Sequence, residues 1–266
     1  CVLCNTHIKW GALLRRADNL GCDYIATGHY AKIREENGRY VISKGLDATK
    51  DQSYVLWGVS QESLSRTLLP LGGYTKDQIR DMAREKGFYD LVNKSESYEI
   101  CFVPDNDYRG FLKRRIEGLE ERVKGGNFVL ENGQIVGKHE GYPFYTIGQR
   151  KGLKVAMGYP VFVTEIRKET NEVVLGTEEF LKRNAMHVGK LNLQKYAIIP
   201  EIGLETITKI RYKDQGQEAF LKQIGDDKLE IQFKNPVNAI APGQAAVFYE
   251  NDDVIGGGWI LKSFNL

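Results

Sequence analysis

Cysteine is scarce in this sequence, with four residues in 266. That is too few for a disulfide-built scaffold and points to a reducing compartment, the cytoplasm. Charge of either sign is not in surplus: 37 Lys and Arg against 35 Asp and Glu leave a formal net charge of +2. Bulk charge therefore does not mark a nucleic-acid binder. An RNA-binding surface has to come from local clusters such as Lys113-Arg114-Arg115 or Arg150-Lys151, and short runs of that kind are more often plain solvated faces. No apolar run approaches the roughly 20 residues of a membrane span. The opening Cys1-Val2-Leu3-Cys4-Asn5 has no charged region followed by an apolar stretch, so it is not a secretory signal. It has no initiator Met either, and the expectation is that the natural protein starts upstream. Internal repeats and low-complexity stretches are lacking. What remains, 42% hydrophobic and 27% charged residues, is ordinary for a globular chain of two or three domains.

The first ninety residues read as mixed α/β. Asn5 or Thr6 is placed to cap a helix carrying Trp10, Leu13, Leu14, Ala17 and Leu20, with Gly21 to end it. Residues 23–27 predict a short buried strand that delivers a loop at Gly28-His29. Thr75 and Gln78 have capping-box spacing, Ile79, Met82, Ala83 and Lys86 follow at helical spacing, and Gly87 closes that helix. This order suits the end of a doubly wound sheet, whose ligands sit at the carboxyl ends of strands. After Cys101 the pattern changes. A helix is expected around Tyr108, Phe111, Leu112 and Ile116, then a two-residue hairpin at Asn132-Gly133. Short strands at 206–212, 218–224, 228–233, 245–249 and 258–262 predict a small antiparallel barrel.

Several segments carry possible chemistry. Cys1-Val2-Leu3-Cys4 is a lone C-x-x-C, compatible with zinc, a redox pair or an iron–sulfur site, although nothing here completes four zinc ligands. Cys101 stands alone, and Cys22 beside an apolar strand reads as a buried small hydrophobe. The run Lys50-Asp51-Gln52-Ser53-Tyr54 is either a polar site or a helix start capped by Asp51. The segment 146–153, with two glycines and adjacent cations, is either a phosphate-binding backbone nest or a basic turn.

Taken in order, these segments resemble the tRNA-specific 2-thiouridylase family along the whole chain. The matching segments are the C-x-x-C-N opening, Thr27-Gly28-His29-Tyr30, the run 50–54, Ile100-Cys101-Phe102, Gln149-Arg150-Lys151-Gly152, Arg211-Tyr212 and Pro242-Gly243-Gln244. The resemblance implies α/β followed by β. Residues 1–106 would be the remainder of an ATP-pyrophosphatase-like α/β domain, 107–183 a small central tRNA-binding domain, and 184–266 a C-terminal antiparallel β-barrel. It implies a reaction in which ATP, with Mg, adenylates O2 of the wobble uridine in tRNAs for Lys, Glu and Gln, and a protein-borne sulfur from a desulfurase or relay protein displaces AMP.

By position, Cys101 resembles the persulfide carrier and Cys4 the thiol that frees the sulfur, leaving a transient Cys4–Cys101 disulfide. Gly28 matches an ATP-contacting glycine. His29, Lys50, Asp51, Gln52, Gln149, Arg150, Lys151, Arg211, Tyr212 and Gln244 match tRNA-contacting positions. Two departures stand out. The family's Ser-Gly-Gly-x-Asp-Ser phosphate loop is not among these residues, so the chain as given is expected to bind ATP poorly and not to turn over. Cys1 stands where many members have Asp, so Cys1, Cys4 and Cys101 are also a ligand set for a [4Fe–4S] cluster with one open iron. Both sulfur routes stand at this stage. An amide-forming ATP-pyrophosphatase would not need the ordered cysteines or the barrel, and a non-catalytic RNA-binding module would tolerate their loss.

Overall fold

The computed structural model describes residues 1–92, 101–103 and 105–266. The chain forms two compact units, one of Cys1–Lys94, Asn184–Pro236 and Pro242–Leu266, the other of Ser95–Arg183 and Val237–Ala241. Most of the residues expected to make the first and third parts thus share one unit, while 95–106 and 237–241 belong to the other.

That unit opens on a helix that is wide (π-type) over Cys4–Ala12 and α over Leu13–Asn19. Neither expected cap acts as one. Asn5 is buried inside the helix and donates its side-chain amide to Val55 O at 3.1 Å, while Thr6 Oγ1 donates to Val2 O at 3.1 Å. A tertiary partner has claimed the cap-type side chain. Gly21 does end the helix: it adopts φ +67°, and Cys22 N donates back to Ala17 O at 2.9 Å. Cys22 itself is exposed, which corrects the reading of it as a buried hydrophobe: the turn beyond Gly21 carries it out to solvent.

Strand β1 (Ile25–Ala26) pairs in parallel with β4 (Thr67–Leu68). Only Ile25 of β1 is buried, a shorter and more open strand than residues 23–27 predict. Between them β2 (Ala31–Glu36) and β3 (Arg39–Lys44) form a hairpin whose turn, Asn37-Gly38, has positive φ at both residues, the geometry that matches strand twist. The helix Lys76–Glu85 carries the expected Thr75–Gln78 capping box, and none of its residues is buried among those described.

The second unit contains a helix, Tyr108–Arg115, capped by Asp107, whose carboxylate accepts from Gly110 N at 2.9 Å. Its sheet runs β6 (Ile135–Lys138), β5 (Asn127–Leu130), β8 (Glu172–Gly176), β7 (Phe162–Arg167). The β5–β6 connection is wider than a two-residue turn. The strands stop at Leu130 and Ile135, and of Asn132 and Gly133 only the glycine has positive φ. Phe128, Val163, Val173 and Leu175 form the core of this unit.

The chain then closes a barrel from β9 (Lys182–Leu193), β10 (Leu204–Lys209), β11 (Gln217–Gly225), β12 (Lys228–Asn238), β13 (Ala245–Glu250) and β14 (Asp253–Phe264). The order is β13-β10-β11-β12-β9-β14, with β13 pairing back to β14. Hairpin β2–β3 extends this sheet beyond β14. A Cβ on Gly257 would come within 2.7 Å of both Ala246 O and the Trp57 ring, so glycine there lets the indole pack directly against the strand. Trp57 also meets Trp259 edge-on at 5.8 Å. Tyr54, Leu56 and Trp57, ahead of the barrel by more than a hundred positions, share one core with its strands β13 and β14.

Candidate active site

Gly28 and His29 lie just past the carboxyl end of β1, as expected for a ligand loop. Gly28 is exposed, and a Cβ there would touch only Leu71 Cδ1, at 3.6 Å. His29 is different: it is 5% exposed, packed 5.4 Å from the Trp10 ring. Its Nε2 lies 3.1 Å from Lys9 Nζ and its Nδ1 2.8 Å from Thr27 Oγ1. An ammonium only donates, so Nε2 accepts from Lys9 and the proton sits on Nδ1, donated to Thr27. Burial, reinforced by the Lys9 charge, lowers the His29 pKa to about 4. The unfolded imidazole, with its pKa near 6.5, binds protons more readily, so this neutral histidine stabilises the fold at pH 7 and the stability falls as pH drops below 6.5. Between pH 7 and pH 5 the loss through His29 should be about 2 kcal/mol. Urea midpoints at both pH values, for the protein and for His29→Asn, should show the pH-dependent drop shrinking in the variant. An equal drop in both would contradict the assignment.

Lys50, Asp51 and Gln52 form a brace more than an open surface. Asp51 Oδ1 accepts from Gly45 N at 3.0 Å and Ser53 N at 3.1 Å, and Oδ2 accepts from Ser53 Oγ at 2.8 Å. Asp51 thus steadies the chain just ahead of the helical turn Ser53–Leu56 but does not cap it as expected: the N-cap position is Gln52, which makes no side-chain capping bond, because the Asp51 carboxylate is taken up by Gly45 and Ser53. Gln52 brackets Tyr30: its Oε1 accepts from Tyr30 N at 3.0 Å and its own N donates to Tyr30 O at 2.9 Å. Lys50 is half-buried. The barrel reaches the same brace. Tyr212 OH donates to Asp51 O at 3.0 Å, its ring meets Tyr54 at 6.0 Å, and Ser53 Oγ pairs with the buried Tyr249 OH at 3.1 Å. Burial raises the pKa of Tyr212. Arg211 and Tyr212 occupy the exposed turn after β10, and Gln244 is exposed beside Gly243 in the turn before β13. The structure therefore brings the loops 27–30, 50–54 and 211–212 together.

The matched segments around Cys101 and Gln149 lie in the second unit. There Gln149 organises its own loop, with Oε1 accepting from Thr146 N at 3.1 Å and Nε2 donating to Lys151 O at 3.0 Å, while Arg150 and Lys151 are exposed. Cys101 is exposed in this unit, and Ile100 of its motif lies outside the described residues. Cys1 is exposed and Cys4 half-buried in the first unit, all as free thiols. Among the described residues no group of three or more His, Cys, Asp or Glu is gathered to hold a metal. Sequence reasoning missed Lys9, Trp10, Thr27 and Tyr249. Thr27 stands in a matched segment without a role of its own, and the other three have no motif signal, because their role comes only from contacts across the fold.

Three family models account for the chain: a tRNA methyl transferase HUP domain over residues 1–105, a tRNA methyl transferase PRC-barrel domain over 109–177, and an aminomethyltransferase beta-barrel domain over 186–260. Proteins named tRNA-specific 2-thiouridylase MnmA are similar along almost all of it. The one from Cytophaga hutchinsonii is 67% identical over 264 residues, 99% of this chain and 72% of the relative. That from Amoebophilus asiaticus is also 67% identical, over 99% of this chain and 70% of the relative. That from Salinibacter ruber is 54% identical, over 98% and 68%. The domain descriptions speak of methyl transfer and the long relatives of thiolation, and identity this high across all three domains decides between them. The chain belongs to the tRNA-specific 2-thiouridylase family.

Proposed function

We propose that the protein replaces O2 of the wobble uridine by sulfur in tRNAs for Lys, Glu and Gln, in the cytoplasm, using ATP and a sulfur-donor protein. The observation that carries this is the 67% identity along 99% of the chain to proteins named for 2-thiouridine formation. A pyrimidine carbonyl oxygen is a poor leaving group, and ATP, with Mg on its phosphates, supplies the adenylyl group that turns it into a good one. The open side of Gly28 leaves room for the nucleotide to approach the backbone at the end of β1.

Cys101 carries the sulfur as a persulfide and is exposed, as loading by a donor protein requires. The Cys4 thiolate attacks Sγ of Cys101, the S–S bond of the persulfide breaks, and sulfide leaves with the electron pair. Sulfide then adds at C2 of the activated uridine and AMP departs. A Cys4–Cys101 disulfide remains, and a two-electron thiol reductant must reopen it before the next cycle. The alternative is a [4Fe–4S] cluster held by Cys1, Cys4 and Cys101, and the iron content of protein prepared without oxygen separates the two routes. Reconstitution tests the reading: the complete gene product with Mg-ATP, a persulfide donor and a transcript of tRNA for Lys should form AMP and 2-thiouridine one for one. Thiolation without AMP would contradict it.

RNA contact is proposed at Arg211-Tyr212, at Arg150-Lys151, and at the brace 50–52 and Gln244, with His29 considered separately below. Each cation that meets a phosphate releases counterions, so Arg211→Ala should weaken tRNA binding and flatten the log–log salt slope by about one unit. Tyr212→Ala should cost about 1–3 kcal/mol of affinity if the ring stacks on an unpaired anticodon-loop base. Tyr212→Phe, which loses only the hydrogen bond to Asp51, should keep most of it. Unchanged tRNA affinity in all three variants would remove the barrel from the RNA surface.

A further inference from the structure

The wide helical segment Cys4–Ala12 places a lysine where no motif announces one. Lys9 is half-buried, and its ammonium is held 3.1 Å from Nε2 of a histidine that burial keeps neutral. Among the described residues it makes no ion pair with a carboxylate. An ammonium has three hydrogens to donate, and His29 takes one of them. Here the partner aims the charge without cancelling it, which is what an anion-binding lysine needs.

The arrangement is over-determined. His29 is fixed by Thr27 on one side and by the Trp10 ring on its face. Trp10 Nε1 donates to Thr67 Oγ1 at 2.7 Å, and Thr67 lies on β4 directly beside Ile25 of β1. The helix, the parallel strand pair and the histidine therefore hold Lys9 Nζ against the residue that immediately follows Gly28. Gly28 has no positive φ, and a Cβ there would make only an ordinary contact. Nothing inside the fold requires glycine at 28, and the space it leaves open faces solvent at the carboxyl end of β1.

We propose that Lys9 is a phosphate-binding residue of the nucleotide site, presented beside Gly28 by His29, which acts towards Lys9 as a positioning residue. This rests on the ATP-dependent reading above and sharpens it. The occupant is a phosphate of the nucleotide because the charge lies at the carboxyl end of a parallel strand pair, where such sheets take their ligands.

The test uses the complete gene product with Mg-ATP in equilibrium dialysis and a tRNA transcript in filter binding. Lys9→Met should weaken ATP binding by about tenfold or more, as loss of one charged hydrogen bond does, and leave tRNA affinity within about twofold. Lys9→Arg should restore most of the ATP affinity. His29→Gln, whose amide oxygen can still accept from Lys9, should bind ATP better than His29→Leu. In the Lys9→Met background, His29→Leu should cause no further loss of ATP affinity, a non-additivity that a merely structural histidine would not give. Melting curves identify any variant that fails to fold, and the Arg and Gln variants then decide. If Lys9→Met loses tRNA and keeps ATP, the anion is an RNA phosphate and the proposal is wrong. If it loses neither, there is no anion site at Lys9. Wild-type protein that thiolates tRNA and binds ATP while Lys9→Met equals it would overturn this inference alone. Wild-type protein that neither binds ATP nor thiolates would overturn the function on which it rests.

Discussion

Cys101→Ser and Cys4→Ser should each reduce 2-thiouridine formation by at least about a thousandfold, while Cys22→Ser leaves it near the wild-type rate. Serine oxygen neither carries a persulfide nor attacks one at useful rates, and removing a covalent nucleophile ordinarily costs this much or more. The two losses should differ in kind. With Cys4→Ser the donor still loads Cys101, so a persulfide on the Cys101 peptide should accumulate and be visible by mass spectrometry. With Cys101→Ser no loaded peptide should form. Cys22 is exposed and free like Cys101, so it controls for general thiol chemistry. The same preparations, made without oxygen, should hold no stoichiometric iron. About four irons per chain with activity following them would favour the cluster route, and normal thiolation by Cys101→Ser would remove the cysteine mechanism.

The second large effect is on stability. Asp253, at the start of β14, accepts from Lys195 Nζ and Arg34 Nη2, each at 2.6 Å, and from Ser43 Oγ at 2.7 Å. Lys195 also pairs with Glu250 at 2.5 Å, and Tyr196 OH donates to Glu250 at 2.9 Å. Burial would raise the Asp253 pKa, but the bonds from Lys195 and Ser43 outweigh it and hold the carboxyl below its ordinary value. The side chains of Lys195 and Asp253 are only 12% and 11% exposed. Asp253→Ala leaves the Ser43 hydroxyl without its partner and Lys195 with Glu250 alone, and should destabilise the unit by about 3 kcal/mol. The exposed Lys234–Glu218 pair, at 70% and 61%, is the contrast: Glu218→Ala should cost under about 1 kcal/mol. Chemical denaturation of the two variants checks the difference. Asp253 pairs in register with Ser43 of β3, so its loss should also raise hydrogen exchange in hairpin β2–β3, which leads into the brace at residues 50–54. Equal small effects from both variants would show that the Asp253 network does not hold the hairpin on the barrel.

Local rules were legible where the chain satisfies them locally. The Thr75–Gln78 box, the Gly21 stop and the barrel strands after residue 204 all stand in the structure, because each depends on nearest neighbours or on strand alternation. Hairpin β2–β3 was overlooked although Asn37-Gly38 announces its turn. Its first strand, Ala-Lys-Ile-Arg-Glu-Glu, looks polar because it is a sheet edge. Strand β9, also unforeseen, begins Lys-Arg-Asn and starts to alternate only later. Asn5 looked like a cap and became an internal bridge to Val55. The site splits along the same line. Gly28-His29 at a strand end follows from sequence order. The brace made by Asp51, Gln52 and Tyr212, and the Lys9–His29 pair, depend on contacts between residues 20 to 161 positions apart. Motifs alone do not separate side chains that face a ligand from those that hold the ligand loops in place.

The central claim, that this protein makes 2-thiouridine at the wobble position, is tested most directly by nucleoside mass spectrometry of tRNA. The tRNAs for Lys, Glu and Gln would be isolated from cells lacking the gene and from the same cells carrying the wild-type or the Cys101→Ser gene. 2-Thiouridine should disappear from position 34 on deletion, return with the wild-type gene, and stay absent with the variant. Persistence of 2-thiouridine in the deleted cells, or full restoration by Cys101→Ser, would contradict it.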